Sequence, residues 1–196
     1  MMVKICGITN RDDALAAVEA GASAIGFNFY RDSPRYISPT GAAIIAEKIP
    51  ANVWKVGVFV DDDAESIARV AVQASLDIAQ LHGKADARGI PVWRACRLDD
   101  PLGLNIFLYD ETVEALLLDT PSQKQHGGTG QTFDWSRAKG LPKKTIIAGG
   151  LDSSNVGRAI EEAQPWGVDA CSRLEKSPGI KDHEKLRHFI KAALNP

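Results

Sequence analysis

Eight short apolar runs follow one another along the chain, most of them succeeded by a segment with helical spacing, and no linker or low-complexity stretch interrupts the series. VKICGI (3–8) precedes RDDALAAVEAG (11–21), in which Ala14, Leu15 and Val18 share a helix face and Gly21 is placed to end it. AIGFNFY (24–30) precedes SPTGAAIIAEKI (38–49), with Ser38 as a candidate N-cap and Pro39 at the first helical position. WKVGVFV (54–60) leads into DAESIARVAVQAS (63–75), KTIIAGGL (144–151) into NVGRAIEEAQ (155–164), and GVDACSRLE (167–175) into KDHEKLRHFIKAAL (181–194). IAQLHG (78–83), VWRACRL (92–98) and EALLLDT (114–120) are the remaining strand candidates.

Eight βα units in one uninterrupted domain spanning residues 1–196 predict a (β/α)8 TIM barrel. It is a small one, since such barrels usually need roughly 200 to 250 residues. The saving falls on the fourth helix, where KADARGIP (84–91) leaves room for little more than a turn, and on the fifth, in DDPLGLNIFLYDET (99–112). A doubly wound open sheet is the competing architecture, but no glycine-rich GxGxxG follows the first strand.

Side chains alternate along a barrel strand between the helix layer, which must be apolar, and the interior. Polar residues inside strands therefore mark the interior face: Lys4 with Cys6, Asn28, Gln80 with His82, Arg94, Asp119 in phase with Leu117, and Asp169 with Cys171. Several lie near the C-terminal strand ends, the rim where barrels hold their active sites. Asp119 stands out, being a carboxylate that closes an apolar strand just before a glycine-rich loop. GGTG (127–130) and AGGLDSSN (148–155) follow the sixth and seventh strands, where backbone N–H groups and a helix N-terminus form an anion cradle. This placement suggests a small phosphorylated substrate.

A net charge of −2 gives no reason to expect nucleic acid or a membrane surface as partner. No apolar run approaches the roughly 18 residues of a spanning helix, and CGITNRDD after Lys4 lacks the apolar core of a signal peptide. Cys6, Cys96 and Cys171 are odd in number and far apart, which argues against a disulfide framework or a zinc site and fits a cytoplasmic protein.

Taken in order, KICGIT, GFNFYRDSPRYIS, VGVFVD, QLHG, LLLDT, GGTGQTFDW, AGGLDSSNV and GVD followed by E-x-SPGIKDHEKLR resemble the phosphoribosylanthranilate isomerases of tryptophan biosynthesis across essentially the whole chain. The resemblance implies a cofactor-free, metal-free Amadori rearrangement of a small phosphorylated substrate, and a monomer is the expected state. It implies Cys6 as general base and Asp119 as general acid, Arg35 at the anthranilate carboxylate, and His82, Asp169 and Lys4 lining the substrate site. Phosphate is expected at Gly128, Gly149, Gly150, Ser172 and Arg173. The chemistry asks for an ionised Cys6, against an ordinary value of about 8.5, and a protonated Asp119, against about 3.9. The family run at the end of the eighth strand resembles VSSGVE, whereas this chain reads ACSRLE: Cys171 replaces a serine, and Arg173 a glycine. If position 173 needs φ > 0, arginine there is strained. Two other readings stand beside this one: an isomerase of the analogous histidine-pathway aminoaldose, against which Cys6 counts, and a barrel that binds but does not turn over.

Overall fold

The computed structural model describes residues 1–97, 101–119 and 134–196. Its strands and helices are β1 (Met2–Ile5), α1 (Arg11–Glu19), β2 (Ala24–Asn28), α2 (Pro39–Ala46), β3 (Trp54–Val60), α3 (Ala64–Gln73), β4 (Ile78–His82), β5 (Val92–Arg97), α4 (Pro101–Leu108), β6 (Val113–Asp119), β7 (Lys144–Ala148), α5 (Val156–Ala163), β8 (Gly167–Ala170), β9 (Glu175–Ser177), β10 (Ile180–Lys181) and α6 (His183–Leu194). Strands β1 to β8 are parallel and close into a barrel, β8 returning to β1.

Local chemistry explains the helix ends. Asn10, Ser38, Asp63 and Asp182 each accept a backbone N–H from the first turn of α1, α2, α3 and α6, and Pro39 sits where a missing N–H costs nothing. Gly21, at φ 103°, stops α1: its N–H donates to Val18 O and that of Ala22 to Ala17 O, a Schellman ending.

Two apolar layers form. The larger lies between barrel and helices, around Ile5, Phe27, Leu81, Leu116, Val168, Leu186 and Phe189. The smaller fills the lower barrel with Met2, Val56, Ile78, Trp93 and Ile146. Below it, the Trp93 ring meets Trp54 edge-on at 6.0 Å and Trp166 at 5.8 Å between centroids. This floor leaves the C-terminal end as the place for a ligand. Trp93 is 1% exposed, so Trp93→Ala is expected to destabilise the fold by about 3–5 kcal/mol, which urea unfolding would read.

The sequence expectations need three corrections. The segment between β4 and β5 holds turns and no helix at all, so the shortened fourth helix is reduced to nothing. Arg94 does not face the interior; Trp93 and Ala95 do. The Arg94 guanidinium lies on the helix side, 4.7 Å from the Phe107 ring of α4, and donates to Gly83 O at 3.4 Å. With no helix after β4, its long stem and planar head cover the strand. Arg173, finally, is not in the left-handed region: the non-glycine residues with positive φ, among those described, are Asp61, Ser75 and Gln164. It sits in a 3-10 turn, Ser172–Leu174, so the condition under which arginine would be strained there is not met.

Candidate active site

The upper barrel encloses a cavity of about 330 Å³, onto which Cys6, His82, Asp119 and Asp169 open together with the turns after β7 and β8. Cys6 is the first residue beyond β1, with its N–H bonded to Ala170 O at 2.9 Å. Asp119 ends β6 on another side of the same space. Glycines make the approach possible. A Cβ on Gly26 of β2 would lie 2.8 Å from Cys6 Sγ and 3.2 Å from Lys4 Cε, so only glycine leaves room for both side chains.

Lys4 lies under the cavity rather than in its wall. It is 0% exposed, and its Nζ donates to Asp169 Oδ1 at 2.9 Å. Burial opposes its charge, but Asp169 and Cys6 outweigh burial and hold its pKa above the ordinary lysine value. The Cys6 thiol is drawn down to about 6, first by its hydrogen bond from Cys171 and then, against desolvation, by the Lys4 ammonium. Cys171 moves the other way: the Cys6 hydrogen bond and burial raise it well above an ordinary thiol. The pair therefore settles with Cys6 as thiolate and Cys171 as its S–H donor. Burial, then the Lys4 charge, pushes His82 down to about 4, so its imidazole is neutral. The Gln80 amide stands 2.9 Å from His82 Nε2; with the amide donating, the ring proton resides on Nδ1.

Arg35 stands at the rim, on the loop after β2. Asn28 builds that loop by accepting the Tyr30 N–H and donating to Ser33 Oγ, which accepts the Arg35 N–H at 3.1 Å. The guanidinium forms a two-pronged pair with Glu175 of β9, Nε to Oε1 at 2.9 Å and Nη2 to Oε2 at 2.7 Å. Glu175 also accepts from the buried Lys181 Nζ at 2.9 Å. Gly149 and Gly150 follow β7 with φ of 86° and 66°, a left-handed backbone that glycine adopts without strain. Asn155 braces the turn, donating to Gly150 O at 3.0 Å and accepting the Asp152 N–H. Ser172 and Arg173 border the same cavity. Gly128 lies outside the described residues.

The structure thus brings Cys6, Asp119, His82, Asp169, Gly149, Gly150, Ser172 and Arg173 to one cavity, with Lys4 beneath and Arg35 at the edge. Sequence reasoning missed Glu175 and Lys181, although both stand in the E-x-SPGIK run, and it passed over Arg97, which pairs in register with Asp119. Arg97 shares the phase of Trp93 and Ala95, a signal the choice of Arg94 concealed.

Fold and cavity together define a (β/α)8-barrel enzyme whose pocket offers proton donors and acceptors to a small anionic ligand. The family model for N-(5′-phosphoribosyl)anthranilate (PRA) isomerase matches residues 3–192, and the chain belongs to that family. An N-(5′-phosphoribosyl)anthranilate isomerase from Solibacter usitatus is 48% identical over 198 residues, covering 98% of this chain and 97% of its own. The crystal structure of the Thermotoga maritima phosphoribosyl anthranilate isomerase is 38% identical, with a TM-score of 0.88 and 100% of both chains covered. A phosphoribosyl anthranilate isomerase in complex with reduced 1-(o-carboxyphenylamino)-1-deoxyribulose 5-phosphate gives 0.85 at 37% identity and the same coverage.

Proposed function

We propose that Cys6 and Asp119 are the base and acid with which this enzyme converts N-(5′-phosphoribosyl)anthranilate to 1-(2-carboxyphenylamino)-1-deoxyribulose 5-phosphate in tryptophan biosynthesis. The observation that carries the assignment is the Cys6 and Asp119 side chains opening onto one cavity at the C-terminal rim. Asp119 gives a proton to the furanose ring oxygen as the bond from C1′ to that oxygen breaks, leaving a Schiff base between C1′ and the anthranilate nitrogen. The Cys6 thiolate then removes the C2′ proton. The enolamine so formed gains a proton at C1′ as its 2′-hydroxyl gives one up, and becomes the aminoketose. The acid and base each contribute about 10²–10⁴-fold to such a proton transfer.

Substrate binding divides among the remaining residues. The backbone after Gly149 and Gly150, with Ser172 and Arg173, takes the phosphate. Arg35 meets the anthranilate carboxylate with the guanidinium edge that Glu175 leaves open, a planar match between fork and anion. His82, neutral, and Asp169 line the sugar; Lys4 acts on them and on Cys6 from below. Glu175→Gln is expected to raise KM several-fold with little change in kcat, since it loosens Arg35 without touching the reacting atoms; steady-state kinetics separates the two. A base that operates as a free thiolate supports a reducing, cytoplasmic setting.

The test is a fluorescence assay in which the labile substrate is generated in place from anthranilate and phosphoribosyl pyrophosphate by a transferase. Conversion by this protein that Asp119→Asn abolishes is the expected result. Unchanged conversion by Asp119→Asn would overturn the assigned acid.

A further inference from the structure

The Cys6 sulfur has a second sulfur beside it that serves neither as acid nor as base in the proposed reaction. In the closed barrel Ile5 of β1 lies opposite Ala170 of β8, and the Cys6 N–H bonds to Ala170 O at 2.9 Å. Each cysteine is the first residue beyond its strand, one step past that pair. Adjacent strands run about 4.8 Å apart, within the roughly 4.4–6.8 Å between Cα atoms that a disulfide spans. Both side chains open onto the same cavity. Neighbouring glycines leave room for them: a Cβ on Gly7 would come within 2.8 Å of Cys171 Sγ, and one on Gly26 within 2.8 Å of Cys6 Sγ.

We propose that Cys6 and Cys171 form a reversible disulfide when the enzyme meets a peroxide, and that this bond switches the active site off. The switching half rests on Cys6 being the base; the bond itself does not. The division of roles follows from the site. Cys6, beside the Lys4 ammonium, is the nucleophile, and Cys171 is the resolving thiol. The Cys6 thiolate attacks one peroxide oxygen, the O–O bond breaks, and the departing hydroxide takes a proton from solvent to leave as water; Cys6 is now a sulfenic acid. The Cys171 sulfur then attacks Cys6 Sγ, the S–O bond breaks, and hydroxide leaves with the Cys171 proton as a second water. The two sulfurs lose two electrons between them, and hydrogen peroxide is reduced to two waters. Lys181 Nζ, 3.8 Å from Cys171 Sγ, stabilises the developing thiolate in the second step. A dithiol reverses the bond by exchange.

The experiment treats the purified enzyme with hydrogen peroxide, blocks remaining thiols with N-ethylmaleimide under denaturing conditions, and maps peptides by mass while activity is followed. The expected result is a linked peptide containing Cys6 and Cys171, two hydrogens lighter than its parts, with activity falling in step with the linked fraction and returning with dithiothreitol. Cys96, buried in the helix layer, stays available to the blocking reagent. In Cys171→Ser, compared with its own untreated activity, the loss should not be restored by dithiothreitol, because Cys6 without a resolving thiol proceeds to the sulfinic acid. A wild-type Cys6 peptide carrying two oxygens, with Cys171 still free, would overturn the disulfide and leave the assigned base standing. A complete linkage with full activity would overturn the switch and the reading of Cys6 as base together.

Discussion

Cys6→Ala and Asp119→Asn should each lower kcat by about 10²–10⁴-fold while leaving the fold intact. Both residues stand just beyond or at the end of their strands and face the cavity, so neither supports a packed layer. Cys6→Ala removes one small atom group beside Gly26 and leaves Lys4 paired with Asp169. Circular dichroism and the unfolding midpoint should therefore stay close to the parent while turnover falls. The pH profile of kcat/KM carries a further signature. Below about 6 the Cys6 thiol is protonated and cannot accept the C2′ proton, so the rate should fall on the acid side of that value. The groups that set the position face the sulfur from β1 and β8: the Cys171 S–H and Lys4 lower it, and Asp169 raises it. A Cys6→Ala enzyme with a near-normal rate would remove the base from the mechanism.

Lys4→Met is expected to do two separable things. It strands Asp169, only 7% exposed and bonded to Lys4 Nζ at 2.9 Å, without its cation. Breaking one side of a buried pair costs about 3–5 kcal/mol, visible as a lowered unfolding midpoint. Because the Lys4 pKa is raised in the folded state, the stability it supplies is fully present below the ordinary lysine value of about 10.4 and is lost only at higher pH, so the comparison holds across the assay range. The second effect is on Cys6. With the ammonium gone its pKa rises, and the acid limb of kcat/KM should move to higher pH. The double variant Lys4→Met with Asp169→Leu distinguishes the two: an apolar pair should restore much of the stability. It should not restore the parent pH profile, because the cation that lowered the thiol is still missing. An acid limb that stays in place in Lys4→Met would show that Lys4 does no more than hold Asp169.

The barrel was legible because its signals are local. Apolar runs with period two, helix segments with capped ends and the shortness of residues 84–91 are properties of neighbouring residues, and the structure has a strand where each of the eight runs was read. Arg94 was misread for a physical reason. The rule that a polar residue in a strand faces the interior assumes a wholly apolar helix side, but beside Arg94 that side combines Phe107 of α4 with the helix-free turn after β4. A guanidinium stacked on Phe107 covers the strand as an apolar residue would elsewhere. Whether position 173 needs left-handed geometry is likewise set by the fold: a 3-10 turn presents the backbone there without it.

Legible in the residues alone were the order of the eight strands, the caps at Ser38 and Gly21, the barrel architecture and the family motifs that single out Cys6 and Asp119. These follow from periodicity and from residues within a few positions of one another. Tertiary structure alone decided the charge state of the site. Lys4 is 165 positions from Asp169, and Cys6 equally far from Cys171, so no local pattern couples them. Closure of β8 onto β1 places each pair side by side. There the excluded water and the short distances turn an ordinary lysine and two ordinary cysteines into a buried cation, a thiolate and its hydrogen-bond donor.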